Sequence, residues 1–81
     1  MEDYIVMSAM YPTMTSGKVD KFLVKQGDKV IPGMAVAEII SEGYFTLLSE
    51  FEGVVSEVYV TEEEYVEVDT VLMSIELAGG E

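Results

Sequence analysis

The sequence predicts an all-β domain, and three observations support this fold class. Short apolar runs alternate with polar residues at a period of two, which is typical of half-buried strands. No segment sustains the 3.6-residue apolar period of an amphipathic helix. Glycines and apolar residues of the first half recur in the second half at an offset of 36 residues. With 81 residues, the chain has room for one domain with one core, which both halves must share.

The first half contains three predicted strands. Residues 1–7 include β-branched and aromatic side chains that favour a pleated backbone, so they form the first strand. Residues 8–17 follow as a loop or edge segment, because Pro12 has no amide to donate to a ladder. The second strand covers residues 18–25, and the third covers residues 35–40. Alternation in the third strand predicts two faces: Ala35, Ala37 and Ile39 on one, and Val36, Glu38 and Ile40 on the other.

Turn signals separate these strands. Residues 26–28 contain a central glycine, and residues 30–33 end in Pro32 and Gly33, a pair that suits the central positions of a type II turn. Residues 40–44 lie between two apolar runs, and Gly43 can take a positive φ without steric cost. They are predicted to form the tip of a β-hairpin that joins the two halves.

The second half repeats this order. Residues 44–48 and 54–60 are predicted strands, residues 61–64 form an acidic turn, and residues 71–76 form the last strand. Alternation in the last strand predicts two faces: Val71, Met73 and Ile75 on one, and Leu72, Ser74 and Glu76 on the other.

The internal repeat aligns glycines with glycines and apolar residues with apolar residues. Neither half can bury its apolar face alone, so a pseudo-twofold arrangement around one core is predicted. Steps of three residues, from Val19 to Phe22 and from Val55 to Val58, break the alternation and predict a bulge or strand crossover in each half. The aligned pairs are Gly17 and Gly53, Val19 and Val55, Phe22 and Val58, Val24 and Val60, Val30 and Val66, Val36 and Leu72, Ile39 and Ile75, and Gly43 and Gly79.

Composition argues against several classes of function. The chain has no Cys and no His, which removes disulfides, thiolate chemistry, common zinc sites and imidazole catalysis. Its net charge of −12 leaves no large basic face for nucleic acid or an anionic membrane surface. The acidic start is unlike a secretory signal, and no apolar run approaches a membrane span. We therefore expect a cytoplasmic or organelle-matrix protein, a monomer or weak dimer, whose acidity serves solubility or a basic protein partner.

Four segments, in order, resemble the lipoyl domains of dihydrolipoyl acyltransferases from 2-oxoacid dehydrogenase complexes. Residues 7–17 are similar to the family's M-P-A-L-S-P-T-M-x-x-G, and residues 22–30 to W-L-V-K-E-G-D-K-V. Residues 33–39 resemble G-D-V-L-A-E-I, and residues 51–55 match a later x-x-G-x-[VI] strand. The resemblance implies a barrel-sandwich hybrid, a flattened barrel of two four-stranded antiparallel sheets shared with biotin carriers. It assigns residues 1–77 to the lipoyl/biotinyl-carrier-like domain and leaves residues 78–81 as a frayed tail.

The family attaches lipoate to a hairpin lysine, and this chain has no lysine there. Counting forward from residues 37–39 places the family lysine at Gly43, and counting backward from Gly53 places it at Glu42. No lysine follows Lys29, so no shift of register supplies one. The resemblance implies lipoate, but without the acceptor lysine no attached cofactor is predicted. The candidate partner-binding residues are Ser41, Glu42, Gly43 and Tyr44. The remaining lysines are interpreted as solvated surface charges rather than a relocated site: Lys18, Lys21, Lys25 and Lys29.

Three other groups of residues were considered as sites. The acidic residues 62–64, with Glu67 and Asp69, lack the spacing of a calcium loop and are predicted to be a solvated turn. Met7, Met10 and Met14 cannot form a helical stripe across Pro12, so core or rim packing is predicted for them. Tyr44 and Phe45 either pack inward or offer an exposed aromatic edge. No residue is predicted to be catalytic or to bind a metal.

Four hypotheses for function follow. The first is a non-lipoylated binding or assembly module linked to 2-oxoacid dehydrogenase-type complexes, with their components as partners. The second is a true lipoyl or biotinyl carrier whose hairpin was altered by engineering or redesign. The third is a structural module of a transporter adaptor, which is usually inserted between long helices. A stand-alone enzyme is disfavoured, because carboxylates are the main reactive groups that remain.

Overall fold

The computed structural model describes residues 1–78, which fold into two four-stranded antiparallel sheets. The hairpin sheet has the order β5-β4-β2-β7, and the terminal sheet has the order β1-β8-β6-β3. This architecture confirms the predicted barrel-sandwich hybrid. The strands are β1 (Glu2–Val6), β2 (Ser16–Phe22), β3 (Lys29–Val30), β4 (Ala35–Ile40), β5 (Tyr44–Leu48), β6 (Gly53–Val58), β7 (Tyr65–Glu67) and β8 (Val71–Leu77).

Residues 79–81 of the predicted tail 78–81 lie outside the described residues, and with them Gly79, the predicted counterpart of Gly43. Residues 1–78 include no helix with the length and apolar character needed to cross a membrane.

The core lies between the two sheets and is built from equivalent residues of both. Val19 and Ile39 of the hairpin sheet are fully buried, as are their counterparts Val55 and Ile75 of the terminal sheet. The offset of 36 residues converts β2, β3 and β4 into β6, β7 and β8, and with β1 as the counterpart of β5 the order of one sheet becomes that of the other. The internal repeat is therefore confirmed as a pseudo-twofold relation between the sheets.

Bulges occur at equivalent places in both sheets. The pairing of β2 with β4 skips Asp20, and the pairing of β6 with β8 skips Ser56, which lies 36 residues later. These are the bulges that the steps of three predicted. Each one adds a residue to one strand and increases the local twist, which helps the sheets to wrap around the core.

A second pair of bulges corrects the predicted alternation of β4 and β8. The pairing of β4 with β5 skips Val36, and the pairing of β1 with β8 skips Leu72. Val36 is buried together with Ala37, and Leu72 is buried together with Met73. The assignment of Val36 and Leu72 to opposite faces from their neighbours was wrong, because a bulge lets two consecutive side chains enter the core.

The sequence pattern placed the longer strands and missed the two shortest. β3 and β7, with two and three residues, lie in segments for which the sequence pattern predicts turns or no regular element. β2 begins at Ser16 and ends at Phe22, earlier at both ends than predicted. Such short strands contain too few residues for a period of two to be visible.

The turn before β4 confirms the Pro-Gly prediction. Met34 donates its amide to the Ile31 carbonyl at 3.1 Å, and Gly33 has a φ of 87°. The equivalent turn before β8 has the same hydrogen bond, from Thr70 to Glu67 at 3.1 Å, but there Asp69 adopts a φ of 78°. Aspartate tolerates this left-handed conformation better than most residues, so the fold is kept without a glycine.

Two equivalent glycines allow close packing of the strands. A Cβ added at Gly53 would clash with the Glu76 carbonyl oxygen and would lie 2.8 Å from the Ile75 side chain. A Cβ added at Gly17 would meet side-chain atoms of Ile39 and Met14 at 3.0 Å. The Gly53 contact is with backbone, which cannot move aside, whereas the end of Met14 is flexible.

Replacement of the two glycines by alanine should therefore have unequal effects. Gly53→Ala is expected to lower the free energy of unfolding by about 3 kcal/mol, and Gly17→Ala by about 1 kcal/mol, because overpacking against backbone is relieved less easily. Urea denaturation followed by circular dichroism measures both values. Equal losses for the two variants would contradict the packing described above.

Candidate functional site

The predicted hairpin is confirmed, with Ser41, Glu42 and Gly43 as its three-residue loop. Ile40 and Tyr44 form the last cross-strand pair of β4 and β5. The Ser41 amide donates to the Gly43 carbonyl at 2.9 Å, and Glu42 adopts a left-handed conformation with a φ of 56°. The side chain of Glu42 is exposed. The loop therefore presents a carboxylate at the tip of the hairpin.

Ser41 holds the base of the loop through two hydrogen bonds. Its hydroxyl donates to the Ser16 carbonyl at 2.9 Å and lies 2.8 Å from the hydroxyl of Tyr11. Because the single proton of Ser41 is used toward Ser16, Tyr11 is the donor in the second bond. The ring of Tyr11 also packs against Phe45, with centroids 5.8 Å apart. Ser41 is thus a structural anchor of the tip.

The segment that carries Tyr11 breaks the internal repeat. β1 corresponds to β5 at an offset of 42 rather than 36, since Met7 and Ser49 make equivalent hydrogen bonds, to Thr70 and Met34 respectively. The difference of six residues is an insertion between Met7 and Ser16, which has no counterpart between Ser49 and Glu52. This longer crossover supports the hairpin from one side. Met7 and Met14 at its ends are buried and Met10 is partly buried, which confirms their predicted packing role.

Of the two predicted roles, inward packing applies to Phe45 and an exposed aromatic side chain applies to Tyr44. Phe45 is partly buried and packs on the core, whereas the Tyr44 side chain is 64% exposed. The Tyr44 hydroxyl donates a hydrogen bond to the carboxylate of Asp20, the bulged residue of β2. That hydrogen bond, with smaller effects from desolvation and from the charges of Asp20 and Glu38, raises the pKa of Tyr44 above its ordinary value of 10.0.

The tip does not fit an amide-linked cofactor. An amide to lipoate or biotin needs a primary amine, and Ser41, Glu42 and Gly43 offer a bonded hydroxyl, a carboxylate and no side chain. Lys18 lies on β2, opposite Ile40 at the base of the hairpin. Lys25 lies in the β2–β3 turn, 3.8 Å from the Asp28 carboxylate. Neither is placed on the loop itself.

In the acidic turn, two carboxylates accept hydrogen bonds, one from within the turn and one from the end of β2. Glu64 accepts hydrogen bonds from the amide and hydroxyl of Thr61 at 3.0 and 3.3 Å, and Glu62 accepts from the Phe22 amide at 2.9 Å. Within residues 1–78, no three acidic side chains converge as a metal site would require. The carboxylates of Glu62 and Glu64 thus accept hydrogen bonds from backbone amides at the end of β2 and at the start of the turn.

Sequence reasoning missed Tyr11 and Asp20. Tyr11 is 30 residues from Ser41, and Asp20 is 24 residues from Tyr44, so no local pattern joins them. The step of three after Val19 did mark the bulge, and a residue in a bulge turns its side chain away from the regular alternation. That signal pointed to an irregular position at Asp20 without identifying its partner.

Comparisons with known proteins match this chain to one family model and to several named proteins. The biotin/lipoyl family model described as "Biotin-requiring enzyme" matches residues 4–75. Dihydrolipoyllysine-residue acetyltransferase components of the pyruvate dehydrogenase complex from Rickettsia conorii and Rhizobium meliloti are each 54% identical over 43% of this chain and 8% of their own length. Component 3 of the mitochondrial complex of Arabidopsis thaliana is 35% identical over 60% of this chain and 11% of its own length. The match therefore spans about a tenth of these relatives.

The hydrogen bond between Tyr44 and Asp20 should be visible by titration. Asp20→Asn is expected to lower the pKa of Tyr44, because it removes the nearby negative charge and replaces the carboxylate acceptor by a weaker, neutral amide oxygen. Since the folded pKa is raised, the contact stabilises the fold below the unfolded pKa and is lost as the pH rises through the folded pKa. NMR titration of the tyrosine ring carbons measures the shift. Asp3→Asn on the terminal sheet is the control, and an equal effect there would contradict a specific contact.

Proposed function

Because the chain belongs to the biotin- and lipoyl-attachment domain family, we propose that it is a non-catalytic binding module of 2-oxoacid dehydrogenase-type complexes that carries no attached cofactor. The observation that carries this proposal is the composition of the hairpin loop. Ser41, Glu42 and Gly43 stand where the family lysine is expected, and none of them has an amine.

A carrier arm needs a chemistry that this loop lacks. The family lysine reacts through its ε-amine, and the long side chain then moves the cofactor between active sites. The Ser41 hydroxyl is held by Tyr11 and the Ser16 carbonyl, so it is neither free nor on a long arm. Glu42 is exposed but ends in a carboxylate, which does not condense with another acid to an amide. The loop is thus suited to contact rather than to transfer.

Recognition remains as the role that the hairpin supports. The loop is held at its base by side-chain hydrogen bonds and by the packing of Tyr11 on Phe45. A loop that is already ordered loses little conformational entropy when a partner binds. We assign partner contact to Ser41, Glu42, Gly43 and Tyr44.

The proposed partners are protein components of a dehydrogenase complex, since the matched relatives are named as components of the pyruvate dehydrogenase complex. The corresponding site of action is the cytoplasm or an organelle matrix.

Intact mass measurement tests the absence of a cofactor. The chain is co-expressed with a lipoate ligase and, separately, with a biotin ligase, and lipoate or biotin is supplied. We expect the unmodified mass in both cases, because the hairpin has no amine and the four lysines lie on β2, the following turn and β3. A lysine-bearing lipoyl domain and a lysine-bearing biotinyl domain, expressed in parallel, show that the lipoate ligase and the biotin ligase are active. A covalent adduct on any lysine, Lys18 included, would refute the proposal.

A second function, that of a carrier with an altered hairpin, is favoured by the names of the relatives, which are dihydrolipoyllysine-residue proteins. It is separated from the first by Gly43→Lys and Glu42→Lys, the two alignments of the family lysine. If the chain is an altered carrier, at least one variant should be lipoylated, as measured by intact mass. If neither is modified while the reference domain is, the hairpin has diverged beyond the missing residue and the binding role is favoured.

A further inference from the structure

One row of four side chains crosses the outer face of the hairpin sheet. Tyr44 pairs with Ile40, Ile40 pairs with Lys18, and Lys18 pairs with Tyr65, so the row passes through β5, β4, β2 and β7. Residues directly opposite in an antiparallel ladder point to the same face. The neighbouring residues Ile39 and Val19 are buried in the core, which places this row, called here the tyrosine row, on the outside.

The tyrosine row is apolar and accessible. Tyr44 and Tyr65, at its two ends, are 64% and 74% exposed. Ile40 and Lys18 are half-buried between them, and the aliphatic stem of a lysine adds apolar surface while its amine stays in water. Tyrosine is over-represented among the residues that dominate binding energy at interfaces. The row has the composition of an interface centre.

The pseudo-twofold relation supplies an internal comparison for this row. The equivalent positions on the terminal sheet also form one row, through Glu2, Glu76, Val54 and Lys29. In both sheets the bulged residue is hydrogen-bonded to the row's residue on the edge strand. The bulged Asp20 accepts from Tyr44 of β5, and the bulged Ser56 donates to Glu2 of β1 at 3.2 Å. The backbone is thus alike on both faces, but the charged ends of one row are replaced by tyrosines on the other. The fold alone does not require tyrosines there.

Acidic side chains surround the tyrosine row. Glu42 lies on the hairpin loop beside Tyr44, and Asp20 and Glu38 are close enough to act on its pKa. Glu67 lies beside Tyr65 on β7 and pairs with Ser16. These carboxylates outnumber the amines of Lys18 and Lys21 on the same sheet. The row therefore has an apolar centre and a mainly negative rim.

The charge of the chain decides among possible occupants. With a net charge of −12, a second copy of this chain would bring two acidic rims together, which is unfavourable. A nucleic acid would be repelled in the same way. A protein surface with basic side chains around an aliphatic patch complements both the rim and the centre of the row.

We infer that the tyrosine row, Tyr44, Ile40, Lys18 and Tyr65, is a docking surface for a protein partner that presents aliphatic side chains surrounded by lysine or arginine. The inference rests on the proposed binding function and extends it from the hairpin loop across the sheet to β7. Apolar contact supplies affinity at the centre, and the acidic rim speeds encounter and rejects acidic proteins.

Peptide titration followed by NMR tests the surface without a known partner. The probe is a synthetic peptide of alternating arginine and leucine, and its matched control replaces each leucine by serine. We expect chemical-shift changes with the leucine peptide to concentrate on the four residues of the tyrosine row. The serine peptide should bind weakly, without preference for this face, and lose its effect when salt is added. Shifts centred on another face, or equal shifts from both peptides, would overturn the inference.

A pair of double variants controls for charge and fold. Tyr44→Ser with Tyr65→Ser removes the ends of the tyrosine row, and Glu2→Ser with Lys29→Ser changes the equivalent positions of the terminal sheet. Both double variants leave the net charge unchanged. The first removes the hydrogen bond to the bulged Asp20, and the second removes the equivalent hydrogen bond from the bulged Ser56. The first should weaken binding of the leucine peptide about tenfold, corresponding to about 1.4 kcal/mol, while the second leaves it unchanged. Equal effects would contradict a specific surface.

A binding assay with a purified dehydrogenase component separates this inference from the proposed function. Binding that is lost in the tyrosine double variant and kept in the control variant supports both. Binding that persists in the tyrosine variant but is lost in Glu42→Lys keeps the proposed binding function of the loop, removes Tyr44 from its contact residues and overturns the role of the row. If no component binds the unaltered chain, the proposed function fails, and the peptide titration still decides the inference.

Discussion

The burial of two equivalent inner faces against each other is the constraint on which this molecule depends. Neither sheet has a second layer of its own, so Ile39 and Ile75 escape water because the opposite sheet covers them. Each such side chain contributes about 1.5–3 kcal/mol when it is fully buried. The bulges at Val36 and Leu72 increase this contribution, because they bring consecutive side chains into the core instead of alternate ones. A strand without the bulge would expose one of them.

The same constraint determines how the hairpin is held. β4 and β5 are fixed by the core residues beneath them, so the loop that joins them begins and ends at defined points. The inserted crossover then adds Tyr11, which bonds Ser41 and packs on Phe45. The tip is consequently ordered by contacts that involve no cofactor. This order is what makes a role in recognition physically reasonable for a loop that has no reactive amine.

Much of the fold could be predicted because its determinants are periodic. The glycine pair Gly17 and Gly53 and the apolar pair Ile39 and Ile75 are visible in the sequence as a repeat, and both halves have strands long enough to show alternation. β3 could not be recognised in this way, since two residues carry no period. The burial of Val36 was also missed, because a bulge is a property of how two strands pair and not of one strand alone.

The candidate site was less predictable than the fold. The position of the loop followed from its neighbours, and the absence of a lysine could be read directly. The bond between Tyr44 and Asp20, by contrast, links residues 24 positions apart across two strands. The tyrosine row becomes visible after the order of the strands is known, because its four members come from four separate segments. Sequence comparison of the halves, position by position, would then have marked Tyr44 and Tyr65 as departures from the repeat.

The equivalence of the hairpin and the ends of the ladder has a topological consequence. Ser41 donates to Gly43 across the hairpin, and Leu77 donates to Met1 with the same length of 2.9 Å. The ends of β4 and β5 that the hairpin loop joins therefore correspond to the ends of β8 and β1 in the other sheet. A circular permutant that is opened at Glu42 and joined by a short linker from Ala78 to Met1 would retain every cross-strand pair of both sheets. In such a molecule the chain ends lie at the former hairpin, and a new loop joins β8 to β1 beside Glu2 and Glu76. A different loop sequence can be grafted at that position.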